Sequence, residues 1–266
     1  MAFIGFYSIL AFCVIIFIAF SFRFKFFALC FTAFMLPAFP FFADTHDWIW
    51  FDWSKRYSVL LITLLICLVQ YLHQRNPHTR NRLIRWTTLY ILPFVLFANI
   101  LEGTLVDFFS KNYLNVIVAA LLIATIPNFW AKWYIDKDNI LGFGSYWDWC
   151  ILYTTWNAYL VVCNGGTVFQ NIYIPALIIL VINLLACLLA RNWHIWFATR
   201  AYCIFLIASI DSFFPSLLPN IQLTFSTEIL KIWGIFNIIF AGFLIYRTFK
   251  EKRSCFIWSY PTKRSY

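Results

Sequence analysis

Residues 3–25 read FIGFYSILAFCVIIFIAFSFRFK: twenty residues without a charge, then Arg23 and Lys25. Twenty such residues in a helix rise about 30 Å, the thickness of a bilayer's hydrocarbon core. The pattern repeats along the chain. Apolar stretches fall near 3–22, 24–43, 57–73, 86–103, 113–131, 147–164, 172–190, 195–213 and 229–247. Barrel strands would be about half as long and would alternate polar with apolar residues, so helix is the reading. The composition agrees. Of 266 residues 63% are hydrophobic and 12% charged, and a water-soluble fold could not hide that much apolar surface. The expectation is an all-α polytopic transmembrane helix bundle of about nine spans. Residues 1–247 form its single domain and 248–266 a basic cytoplasmic tail.

The charges orient it. Of the 20 Lys and Arg residues, sixteen fall in alternate gaps. These are Arg23 and Lys25; Arg75, Arg80, Arg82 and Arg85; Lys132 and Lys137; Arg191 and Arg200; and Arg247, Lys250, Lys252, Arg253, Lys263 and Arg264. The other side holds Lys55, Arg56, Lys111 and Lys231. The positive-inside rule then predicts the N-terminus outside and the C-terminus in the cytoplasm. The same rule accounts for the net charge of +9 without nucleic acid, since the cations are scattered over loops rather than gathered on a basic module. The first stretch has no basic residue before it and no cleavage signature after it, so it is expected to be an anchor rather than a signal peptide. Trp48, Trp50 and Trp53 mark an outer boundary, Asn164-Gly165-Gly166 reads as an outer turn, and Pro215 and Pro219 break the chain before the last span. Pro37, Pro40 and Pro93 lie inside spans.

None of the eight cysteines forms a C-x-x-C pair, and they are expected as small buried residues rather than disulfides or metal ligands. His46, His73, His78 and His194 make no helical i, i+4 pair, so no metal site is expected. No phosphate-binding loop, dinucleotide fingerprint or serine elbow occurs, and no cofactor is expected.

Polar groups in lipid are costly, which makes each a functional candidate. Asn99 and Glu102 share a helix face, with Glu102 near the outer end of its span. Asp107 lies further out and is expected in water. In the sixth stretch Trp149, Tyr153, Trp156, Asn157, Leu160 and Asn164 recur at three- and four-residue steps and form one stripe. The stripe reads either as a ligand wall or as helix packing held by Asn157. Asp148, on the other side, reads as a boundary charge. Arg200 and Asp211 return to one face about 16 Å apart along a helix. They either mark two depths of one polar path or simply reach the two boundaries.

Several of these segments resemble an uncharacterised family of multi-pass bacterial membrane proteins. The resemblance rests on Asn99-Ile-Leu-Glu102 with Asp107-Phe108, on Trp133-Tyr-Ile-Asp-Lys137-Asp138, and on Tyr153-Thr-Thr-Trp156-Asn157. It covers the chain from about residue 50. Val106 and Thr154 depart from it, where the family pattern has a basic and an acidic residue. It implies a bacterial plasma-membrane location and points to Glu102, Asp107, Trp156 and Asn157. It implies no activity.

Three functions are expected in order. The first is binding or transport of a small solute or lipid through a polar intrahelical cavity lined from Asn99, Glu102, Asp107, Tyr153, Trp156, Asn157, Arg200 and Asp211. The second is an accessory subunit with a protein partner. The third is an intramembrane enzyme acting on lipid-linked groups, with Glu102 or Asp107 as general base. The basic loops are also expected to attract anionic lipids at the cytoplasmic face.

Overall fold

The computed structural model describes residues 2–43, 50–77, 81–130, 133–164, 173–218 and 225–258. Among the described residues there are nine helices, one for each apolar stretch: α1 (Ala2–Arg23), α2 (Lys25–Phe42), α3 (Trp50–Arg75), α4 (Arg82–Phe109), α5 (Tyr113–Ala124), α6 (Trp147–Asn164), α7 (Tyr173–Leu189), α8 (Trp196–Phe213) and α9 (Thr227–Lys250). A two-stranded antiparallel hairpin, β1 (Tyr134–Ile135) and β2 (Leu141–Gly142), lies between α5 and α6. Asp136 builds its turn by accepting from the backbone N–H of Asp138 and of Ile140, and Asn139 takes the left-handed conformation, φ 58°.

Six helices are long and apolar enough to cross a membrane: α1, α2, α3, α4, α8 and α9. α7 is apolar but shorter. α5 corrects the expected span of 113–131. It stops at Ala124 after 12 residues, about 18 Å, because Pro127 removes a backbone donor and pushes its predecessor out of the helical region. α3 and α4 run longer than expected. α4 continues past Glu102 and Asp107, because both carboxylates find partners within the bundle. A single wide turn, Thr87–Ile91, interrupts α4 just before Pro93. Widening lets the chain pass a proline that cannot donate to the preceding turn.

α6 packs against α4, α5, α7 and α9, and α8 packs against α1, α2, α3 and α7. α8 is the most enclosed of the six long helices, with 67% of its apolar window buried against 22–33% for the others. The core follows this division. A larger apolar cluster surrounds Trp149, Tyr153 and Trp156 of α6, and a second surrounds Tyr202, Cys203 and Ile207 of α8. Outside lies a shell of exposed side chains such as Phe12, Phe34, Phe94 and Ile239, each above 60% exposed, which hydrocarbon solvates and water does not. Cys13 and Cys30 belong to this outer surface, against the expectation that the cysteines are buried. Five of the others, Cys67, Cys150, Cys187, Cys203 and Cys255, are buried.

Hydrogen bonds between segments tie one end of the bundle together. The His73 ring donates to Asn139, Trp133 N–H to Thr88, Phe143 N–H to His194 and Asn128 N–H to Ser254. This hairpin end therefore carries the basic turns around Arg23, Arg75, Arg85, Lys137, Arg191 and Arg247. Residues 251–258, expected to begin a separate tail, fold back on the segment after α5. Ile257 N–H reaches Ala124, Cys255 bridges Pro127, and the Trp130 indole donates to Phe256. Asp44, His46, Asp47, Trp48, His78, Arg80, Lys132, Gly165, Gly166, Pro219, Lys263 and Arg264 lie outside the described residues.

Candidate functional site

Tyr153 lies in the larger apolar cluster, on the side of α6 that packs against Trp196 of α8. Its side chain is fully buried, and its hydroxyl donates to Asn99 Oδ1 of α4 at 2.5 Å. Asn157, one helical turn on, and Arg200 of α8 stand beside the same hydroxyl. The Arg200 guanidinium lies 4.9 Å from the Tyr153 ring centre and 5.7 Å from that of Trp196. Trp196 and Trp156 pack edge-on to Tyr153, at 4.7 and 5.5 Å. The stripe read from sequence packs between helices. Its Trp149 and Trp156 fill the core, while Tyr153 carries the polar contact. Gly103 of α4 allows the close approach: a Cβ there would lie 2.8 Å from the Trp156 ring, and small residues at such crossings let helices meet.

The hydrogen-bonding balance around Tyr153 is one-sided. The Arg200 Nη1, Trp156 Nε1 and Trp196 Nε1 atoms are buried and have no acceptor among the described residues. Arg200 has no carboxylate partner among them either. An isolated arginine inside a membrane costs about 3 kcal/mol on insertion scales. Stacking on Tyr153 and Trp196 offsets part of that, about 2 kcal/mol or more for a desolvated cation, but supplies no acceptor. The site therefore offers unmatched donors and a positive charge, enclosed by aromatic walls. Asn99 is exposed on α4, so the site opens at that edge.

Glu102 is not free. It forms an ion pair with Lys55 of α3, and the Lys55 side chain is 18% exposed. This pair bridges α3 and α4 close to Asn99. The other two sequence candidates go elsewhere. Asp107, expected in water, is fully buried. It accepts from Asn112 at 2.8 Å and from Asn115 at 2.6 Å, and closes the α4–α5 turn. Asp211 takes Arg56 at 2.6 Å, and Arg56 Nε also donates to Ser212. The structure thus brings Asn99, Tyr153, Trp156, Asn157 and Arg200 together with Glu102 alongside, and leaves Asp107 and Asp211 out.

Asp148 corrects the boundary-charge reading. It is fully buried. Arg253 Nη1 reaches both its oxygens, at 2.9 and 2.8 Å, and Arg247 Nη1 a third contact at 3.0 Å. Glu251 bridges the two arginines, at 2.6 Å to Arg247 Nη2 and 2.7 Å to Arg253 Nη2. The Arg253 guanidinium rests 3.9 Å from the Tyr146 ring centre. Burial pushes the Tyr146 phenol above its ordinary range, against the nearby Arg253 charge. Lys55, Arg56, Asn115 and Arg253 were missed as partners from sequence. The available signal was that Lys55 and Arg56 break the charge rule on the same side as Glu102 and Asp211.

Fold and site together define an all-helical protein of membrane type with a polar seam between two groups of helices. Compared with family models, curated proteins and solved structures, the chain matches none.

Proposed function

We propose that this is a polytopic plasma-membrane protein of bacterial type that binds a small oxyanion, or the acidic group of a lipid, at the Arg200–Tyr153–Asn99 seam and conveys it. The carrying observation is the Arg200 guanidinium. It is held on two aromatic rings with Nη1 buried and unpaired, an arrangement that a carboxylate or phosphate oxygen completes. The proposed passage number is nine, with the hairpin end and the C-terminus in the cytoplasm and the N-terminus outside. Support comes from the basic turns gathered at that end. Even the short α5 lies between Asp107's partner Asn112 before its first turn and the Pro127–Cys255 contact beyond its last. Resemblance to the uncharacterised bacterial family is part of the same proposal.

Lipid chemistry with Glu102 or Asp107 as general base has less support. Each carboxylate is engaged by its own partners, and the two do not share one site. The binding reading is tested with dodecyl phosphate and dodecanoate as probes and dodecyl maltoside as the neutral reference. Tryptophan emission, sensitive to Trp156 and Trp196, is expected to shift saturably with the two acids in the wild type and at least tenfold more weakly in Arg200→Gln. Equal response to all three amphiphiles would refute it.

A further inference from the structure

We propose that a cavity at the hairpin end is a binding site for the phosphate group of an anionic membrane lipid. The cavity measures about 420 Å³ and lies between the α1–α2 turn, the end of α3 and the hairpin tip. That volume falls within the range of small-ligand sites. Arg23, Lys25 and Lys137 line it, with Asp138 as the one lining carboxylate. None of the three cations has an ion-pair partner among the described residues.

Lys25 gives the site its fixed point. It is only 2% exposed, and its ammonium donates to the Phe22 carbonyl, which holds the group at the wall with two hydrogens left to give. Asn139 adds a neutral donor. Its Oδ1 accepts from the His73 ring at 2.9 Å, which leaves the amide hydrogens free to turn inward. Asp136, in the hairpin turn, accepts two backbone N–H groups at Oδ1, and its charge acts on Lys25 together with that of Asp138. The lining therefore combines a guanidinium fork, two ammonium groups and an amide, the donor set that phosphate oxygens take. Arg23 and Lys25 separate two long apolar helices, so the cavity lies at the depth of headgroup phosphates. It shares no residue with the Arg200 seam and stands independently of the function proposed there.

The test is native mass spectrometry of the full chain released from vesicles of equal phosphatidylglycerol and phosphatidylcholine. Wild type is compared with Arg23→Gln/Lys137→Gln and with Lys250→Gln/Lys252→Gln, which removes two exposed cations outside the cavity. Wild type is expected to retain one phosphatidylglycerol per chain. Each cavity charge removed is expected to weaken retention about fivefold, and both about twenty-five-fold, while the control pair stays near wild type. Equal losses in the two variants, or no preference for phosphatidylglycerol, would overturn the site. Inorganic phosphate separates the sources of the group. Retention that survives 10 mM phosphate supports a lipid headgroup. Displacement by it, lost in the cavity variant, supports phosphate recognition but overturns the lipid as its source. Thermal unfolding of both variants is expected to match wild type, since Arg23 and Lys137 are exposed and unpaired.

Discussion

Arg253 and Arg200 are both guanidinium groups laid on a tyrosine ring, at 3.9 Å from Tyr146 and 4.9 Å from Tyr153, and they are finished in opposite ways. Arg253 gives its remaining donors to Asp148 and Glu251. Arg200 leaves a buried nitrogen with no acceptor. A saturated buried cation fastens two segments and has no capacity left. An unsaturated one keeps a free-energy gain in reserve for whatever brings an acceptor. The Asp148–Arg253–Glu251 cluster is accordingly a fastening and the Tyr153 seam a site.

The largest expected effect breaks the fastened half. Asp148→Ala leaves Arg253 in its buried position without its main partner and is expected to lose about 3–5 kcal/mol of stability, measured as unfolding in detergent micelles. Arg200→Gln, in the same assay, is expected to stay within about 1 kcal/mol of wild type, because it removes a charge that no carboxylate holds. If the two variants lose equal stability, the contrast between fastening and site is gone.

A second fastener sharpens the point. Asp107→Asn keeps one acceptor at the α4–α5 turn and turns an NH2 donor toward the other asparagine amide, and is expected to lose about 1.5–3 kcal/mol, with ligand binding at the seam retained in folded protein. Gly103→Ala acts on the site's wall. Its Cβ meets the Trp156 ring at 2.8 Å, so overpacking is expected to lose about 1–3 kcal/mol and to shift tryptophan emission. An unchanged emission spectrum would mean that α4 and α6 separate freely there.

The smallest effect concerns pH. A hydrogen bond from Arg247, followed by those from Arg253, holds the Glu251 carboxyl below its ordinary range. Its folded pKa is therefore lower than its unfolded one. The pair's contribution is full above the ordinary carboxylate pKa of about 4.3 and is lost as pH falls through the folded value. The tail contact is expected to loosen only under acid, seen as a change in Trp130 and Trp258 emission. Glu251→Gln is expected to remove that acid limb.

The sequence made the helices legible, because long apolar runs permit no other backbone in lipid. It was less able to give α5's length, where a single proline outweighed a hydrophobic continuation. The stripe on α6 was readable from its spacing, and so was the grouping of Tyr153 with Asn157. What could not be read was which polar groups pair. Glu102, Asp107 and Asp211 look alike as isolated carboxylates, yet Lys55, two asparagines and Arg56 respectively take them. Those partners lie on other helices, and sequence spacing carries no information on how helices are arranged around one another. Asp148 was misread for the same reason, since its arginines lie about a hundred residues away.

The most direct measurement is mass spectrometry of what stays bound to the protein purified in native lipid discs, wild type beside Arg200→Gln, with Asp107→Asn as a variant whose seam is intact. The account predicts an acidic small molecule or lipid held by wild type and Asp107→Asn and lost from Arg200→Gln. The same bulk lipid in all three samples, with nothing that depends on Arg200, would contradict it.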